Sequence, residues 1–339
     1  MKIETIKKLN QHHSDKQKKY NTGDREGTFY VESSEASNRI AEIQFNNALM
    51  SSINLIPTHL ERDPTIGLGA GKLIASRTDT LHGGTRSPRE IKPESSMMYE
   101  CNQVNFDIAL SMSTLDAFAH YGDFPDRVEA ELNRHASFDL TRIGFFGKAA
   151  SDNSDPNTNP NGEDVAKGWI QALRDNRPES MLSSESKVIH IGVDGDYQSV
   201  NDAVCAVKKK IAARHRDVND LVVLLGSDLV EHDKATFYPS EGSPQAEMRQ
   251  IKESYGAMPA FMPSCFPARG IFVTSLDNLS IYFLDFAFRR SFGKTNSEKN
   301  RIEYLESMSL AYAVEQLDKA AAIEFEQVTL DGDELPIAP

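Results

Sequence analysis

The stretch Asn278–Gln316 decides the reading of this chain: NLSIYFLDFAFRR (278–290), a polar turn, then RIEYLESMSLAYAVEQ (301–316). Leu279, Ile281 and Phe283 alternate with Ser280, Tyr282 and Leu284. Side chains on a strand point to opposite faces in turn, so this pattern predicts β-strands with two different faces. The stretch holds no nucleophile, ligand cluster or phosphate loop. Its charges are Arg289, Arg290 and Arg301, followed by Glu303 and Glu306. Opposite charges on outward-facing strands suit repeated contacts between subunits better than catalysis.

Working outward, the 339 residues are enough for about two domains. Hydrophobic residues at 39% and charged residues at 26% are ordinary for a globular protein. No apolar run approaches the roughly 20 residues of a membrane span, and the polar N-terminus lacks the apolar core of a secretory signal. Cys101, Cys205 and Cys265 are an odd, widely spaced set, which fits a reducing compartment rather than a disulfide framework. The net charge of −13 disfavours groove-type nucleic-acid binding, though it leaves room for a local basic patch. Residues 1–31 carry seven Lys or Arg against four acids, whereas 320–339 carry five acids and no base. The basic end reads as a detachable or partner-binding segment and the acidic end as a solvated tail.

Ile40, Ile43, Phe45, Leu49, Ile53, Leu55 and Ile56, ended by Pro57, predict an amphipathic helix followed by an extended arm. Residues 57–100 are rich in Gly, Thr, Ser and Arg and read as a hairpin-like excursion too poor in apolar residues to bury itself. Residues 99–112 return as a strand. A short helix precedes Tyr121. A long one is predicted over Phe124–Phe146 from Val128, Leu132, Ala136, Asp139, Ile143 and Phe146, with Asp123 as N-cap and Gly144 and Gly147 at its end. SDNSDPNTNPNGE (151–163) is a turn-rich loop, followed by a short helix bearing Trp169. KVIHIG (187–192), a helix and LVVLLG (221–226) form a strand–helix–strand unit. MPAFMPSCFP (258–267) reads as an irregular connection and IEFEQVTL (323–330) as a last strand.

The chemical motifs fail on spacing. Gly67-Leu-Gly-Ala-Gly71-Lys72 has Ile66 where a phosphate loop needs its first glycine and Leu73 where it needs Ser or Thr; nor does it fit a dinucleotide fingerprint. Asp155-Pro-Asn157-Thr-Asn159 opens like a calcium loop, but Pro160 and Ala166 stand where glycine and an acid belong. Asp194 and Asp196 follow a strand, and Asp196 is read as the cap of a helix starting at Tyr197. The histidines show no HExxH and no cysteine partner at zinc spacing. No catalytic, cofactor-binding or metal-ligating residue is therefore expected.

The order of segments says more than any single piece. INLIPT (53–58), IGLG with SRTDT (66–80), YECNQVNFD (99–107), TLDAFAHYGDF (114–124) and the 151–160 loop with DVAKGWIQ come first. GDYQSVNDAV (195–204), DLVVLLGSDL (220–229), NLSIYFLD, FRR and RIEYLESMSLAYAVE follow. In this collinear order, from about residue 45 to 328, the chain resembles the major capsid proteins of P2-group tailed phages. The resemblance implies an α+β, Hong Kong 97-like capsid fold. Its parts would be a pre-segment (1–31) that is a candidate for removal, an N-terminal arm (32–56) and an extended loop (57–105). A peripheral domain with a spine helix (106–186), an axial domain (187–265), further peripheral strands (266–330) and an acidic tail (331–339) would complete it. It implies a non-enzymatic subunit, assembled in the host cytoplasm, that polymerises as pentamers and hexamers into the icosahedral head enclosing double-stranded DNA. Its partners would be further copies of itself, a scaffolding protein, a maturation protease and a portal protein, with weak non-specific DNA contact and no membrane. Candidate intersubunit contacts are Arg289, Arg290, Arg301, Glu303 and Glu306, and the candidate processing site is Phe29–Tyr30, where the basic segment ends. No covalent cross-linking through Lys72 is expected. A tail-tube subunit is the alternative within phage structural proteins, and a nucleotide-binding α/β enzyme using Gly67–Lys72 the alternative outside them.

Overall fold

The computed structural model describes residues 11, 14–15, 29–31, 33–45, 47–65, 75–87, 97–118, 121, 123–186, 188–239, 248–291 and 294–333. Gly67–Lys72 and the end of the acidic tail lie outside them. After β1 (Phe29–Tyr30) come α1 (Ser33–Phe45), α2 (Ala48–Ser52) and β2 (Asn54–Thr58). β3 (Arg62–Pro64) and β4 (Met98–Glu100) bracket the excursion, and β5 (Asn102–Asn105) and β6 (Ile108–Ser111) lead to α3 (Met112–Phe118) and the long α4 (Phe124–Phe146). Next are α5 (Trp169–Asn176), β7 (Met181–Leu182), β8 (Ile189–Ile191), α6 (Val200–Lys210), β9 (Val222–Leu225) and α7 (Ser227–His232). The rest is mainly strand: β10 (Met248–Tyr255), β11 (Met258–Pro263), β12 (Ile271–Thr274), β13 (Leu279–Leu284), β14 (Arg289–Arg290), β15 (Lys294–Asn296), β16 (Arg301–Tyr304), β17 (Glu306–Val314), β18 (Ala321–Ile323) and β19 (Val328–Leu330).

Strand β17 is the hub of the first sheet, pairing antiparallel with β13, β14 and β5. β2 joins parallel to β13 at the sheet's edge, where Pro57 costs no ladder bond on a second side. All six residues of β13 are buried, so both of the faces that the alternation predicts are interior. Both faces are covered. On one, Tyr312 donates its hydroxyl to Leu140 O of α4 at 2.8 Å. Trp169 stands edge-on to the same tyrosine ring at 5.1 Å and donates to Ser280 O at 3.1 Å. On the other, Tyr99 of β4 stacks on Tyr282 at 4.2 Å.

Helix α4 has the bounds that periodicity predicts, but not the stripe. Asn133, Ala136, Ser137, Leu140 and Ile143 face inward, while Asp139 is exposed. Asp123 makes no side-chain cap; its carboxylate instead accepts from Arg127 Nε at 2.8 Å. Gly147 closes the helix, its N–H reaching Ile143 O at 2.8 Å. Gly144 serves packing instead: a Cβ there would lie 2.3 Å from the Trp169 ring. The arm is two helices rather than one. Asn47 restarts it, its Oδ1 accepting from Leu49 N at 2.9 Å and Met50 N at 3.2 Å.

The second six-stranded sheet runs β10-β11-β9-β12-β18-β7 and carries α6, whose Val200, Ala203, Val204 and Val207 are fully buried. Its core draws Leu182, Ile271, Val273, Ala321 and Ile323 from outside residues 187–265. β8 and β9 do not share a sheet: β8 pairs parallel with β19. The 258–267 segment is more regular than expected, because β11 pairs on both sides at Ala260 and Phe261, between its prolines. The final strand is split into β18 and β19 by a 3-10 turn at Phe325–Gln327. Ser199, not Asp196, caps α6, its Oγ accepting from Asp202 N at 3.1 Å; Asp196 accepts from His190 N at 3.0 Å. Asp155 bonds its own turn through Asn157 N at 3.0 Å, as a surface loop requires.

Candidate functional site

Four elements meet at one buried charge cluster. Arg39 comes from α1, Glu129 from α4, Arg290 from β14 and Glu306 from β17. Arg39 donates to Glu306 from Nε at 3.3 Å and from Nη2 at 3.2 Å. Arg290 Nε lies 3.2 Å from Glu306 Oε2, and its Nη2 donates to Glu129 Oε1 at 3.4 Å. The four side chains are between 2% and 13% exposed. Two guanidinium groups and two carboxylates balance, as burial demands of charges removed from water. One atom is left over: Arg39 Nη1 makes no hydrogen bond, and Glu42 Oε2 is 3.7 Å away. The cluster borders a cleft of about 140 Å³ lined by Leu132, His135 and Tyr304 among others. Burial pushes the Tyr304 phenol up to about 12, with Glu129 adding to the rise and Arg290 opposing it.

Arg290 and Glu306 are thus inward-facing partners within one chain, which corrects their reading as outward-facing strand charges. Arg289, next in register, is exposed and pairs by backbone with Tyr30 and Ser307. Arg301 and Glu303 sit together on β16, with Nε to Oε1 at 2.7 Å, in a small sheet β15-β16-β6. That bond holds the Glu303 carboxyl below its usual range. Sequence reasoning missed Arg39 and Glu129. The signal for Arg39 was present: Ala36, Arg39, Ile40 and Ile43 occupy one helical stripe, and all are buried. An arginine in an apolar stripe announces a buried acid, though not which one.

The second feature is the excursion between β3 and β4. Its base is closed by Thr65 N to Met97 O at 2.8 Å and Met97 N to Thr65 Oγ1 at 3.2 Å. Residues 75–87 are all exposed, Leu81 to 93%. Asp79 organises a turn there: Oδ1 accepts from Leu81 N at 3.0 Å, its carbonyl accepts from Gly84 N at 3.0 Å, and His82 Nδ1 lies 2.6 Å from Oδ2. Gly83 at φ +88° supplies the left-handed step. The described residues contain no group of three or more metal-ligating side chains, and none of the described helices is long and apolar enough to cross a membrane.

A long helix clamped on a β-sheet, a second mixed sheet with its own core, and an outlying excursion define a shell-forming subunit. The model of the P2 family of phage major capsid proteins matches residues 8–325, and the chain belongs to that family. The capsid proteins of Escherichia phage P2 are 32% identical over 318 residues, covering 89% of this chain and 88% of that protein. The major capsid protein of Serratia phage KSP20 is 28% identical over 301 residues, 84% of this chain and 85% of that one. A chain of the satellite phage P4 procapsid, solved with its size determination protein, superposes with a TM-score of 0.74 at 31% identity, over 87% of this chain and 98% of that one. The fold is the Hong Kong 97-like capsid fold, and the function is that of a major capsid protein, building the phage head from many copies. The tail-tube alternative falls with this result.

Proposed function

We propose that the chain polymerises as pentamers and hexamers into an icosahedral head around packaged double-stranded DNA, acting as structure and not as an enzyme. The exposed 75–87 turn carries this reading, because an element with no burial of its own gains area by lying on a neighbour. Its partners are a scaffolding protein, a maturation protease and a portal protein, met in the host cytoplasm. Arg289, Arg301 and Glu303 make contacts between subunits. Arg290 and Glu306 support those contacts from within by fixing β14 against β17. The protease removes the basic segment at Phe29–Tyr30, whose backbone lies along β14. DNA contact is weak and non-specific, in keeping with a net charge of −13.

Electron microscopy of the protein co-expressed with its scaffold and protease tests this reading. Closed angular shells with pentameric and hexameric clusters are expected. Open tubes, or a protein that stays monomeric under assembly conditions, would refute it. Intact-mass measurement of mature particles checks the processing: Met1 still attached would sink the cleavage step.

A further inference from the structure

The C-terminal end of α6 stands apart from the acidic character of the chain. From Ala203 to Arg216 there is no acid, and Lys208, Lys209, Lys210, Arg214 and Arg216 fall within nine residues. The simplest explanation, that these bases neutralise the helix's negative end, accounts for part of the group. Arg216 takes the carbonyls of Ile211, at 2.7 Å, and of Lys209. Lys208 Nζ donates to Gly256 O at 2.9 Å. Lys209 and Lys210 are left exposed, with no acid partner among the described residues. Of the acids nearby, Asp318 is paired with Arg214 and Arg177, and Asp220 and Asp277 with Lys319, while Asp217 is exposed beside Arg216.

We propose that Lys209 and Lys210 are a low-affinity contact for the phosphates of double-stranded DNA. The inference rests on the reading that the shell encloses DNA, and it gives that weak contact a place. A protein partner fits the patch less well. Protein interfaces need an apolar centre, and the neighbouring exposed apolar side chain here is Val218, at 38%. Neither of the two cavities described in the protein borders the patch. Unpaired ammonium groups on a helix end suit a polyanion read by charge alone.

The test is a salt titration of a short mixed-sequence duplex against the full chain and against K209E/K210E, with K209Q/K210Q as the milder variant. Polyglutamate serves as a second probe. For the native chain, the logarithm of the binding constant should fall with the logarithm of salt concentration. That slope should shrink by about 2 in K209E/K210E, since each lost phosphate contact removes about 0.9. The glutamine pair should show a smaller weakening in the same direction. An unchanged slope overturns the inference, as does a preference for polyglutamate that the variant abolishes while DNA binding stays. In DNA-filled heads, formaldehyde cross-links to DNA should map by mass spectrometry to the peptide carrying Lys209 and Lys210; adducts confined to other peptides overturn it. If no DNA-filled heads can be recovered, the enclosing-shell reading fails as well. If they are recovered and the variant binds DNA as the native chain does, only the placement fails.

Discussion

The Arg39–Glu306–Arg290–Glu129 cluster and the Arg301–Glu303 pair use the same chemistry to different ends. In the first, four elements converge and every side chain is largely buried. In the second, two residues on one strand pair beside solvent. A buried pair adds little net stability over apolar packing, yet removing one member leaves an uncompensated charge and is severe. An exposed pair gains little and loses little. The protomer therefore spends its interior charges on locking the arm, the long helix and the sheet together, and keeps the Arg301–Glu303 pair at the surface.

Glu306→Ala should break that contrast most sharply. It leaves Arg39 with Glu42 at 3.7 Å and Arg290 with Glu129 at 3.4 Å as their remaining acids, and a loss of about 3–5 kcal/mol in unfolding free energy is expected by denaturant titration. A loss under about 1 kcal/mol would mean that water reaches the cluster and that the two charge sites do not differ in kind. Gly144→Ala asks the same of an uncharged part of the interior. Its methyl would meet the Trp169 ring at 2.3 Å, and overpacking of this sort costs about 1–3 kcal/mol. Unchanged tryptophan fluorescence and stability would show that α4 and α5 are free to separate.

Tyr304 reports on the cluster from its edge. Its folded pKa lies above the usual 10.0, at about 12. A raised pKa favours the protonated form in the fold, so this contribution is intact below pH 10 and is lost as pH rises toward 12. Alkaline unfolding should begin in that window, and Tyr304→Phe should remove part of the slope. Identical pH profiles for the two proteins would contradict the burial of the phenol. The smallest effect belongs to Arg301→Ala. The unfolding midpoint should barely move, whereas the yield of shells in an assembly assay should fall. The reverse outcome, a destabilised protomer that assembles normally, would make Arg301 an internal support like Arg290.

Much of the fold is legible in local pattern. The bounds of α4 follow from a three- and four-residue apolar rhythm between Pro125 and Gly147. β13 and β17 follow from alternation, and the excursion from its lack of apolar residues. The misreadings share a cause. Whether Asp123 or Ser199 caps a helix depends on which backbone N–H groups lie within reach, and Asp196 was drawn to His190 instead. Two prolines made β11 look irregular, because sequence does not show that its doubly paired residues fall between them.

The sequence by itself determined the element types, the family through the collinear order of its segments, and the shortage of apolar residues that leaves residues 75–87 exposed. These depend on local periodicity, composition and order, all properties of the linear chain. The tertiary structure decided which charges are interior. Arg290 and Arg289 are adjacent on one short strand. One is buried between Glu129 and Glu306, and its neighbour is exposed, since successive side chains leave a strand on opposite sides. Which side is inside depends on Arg39, 250 residues earlier in the chain, and on the helices that bring it there.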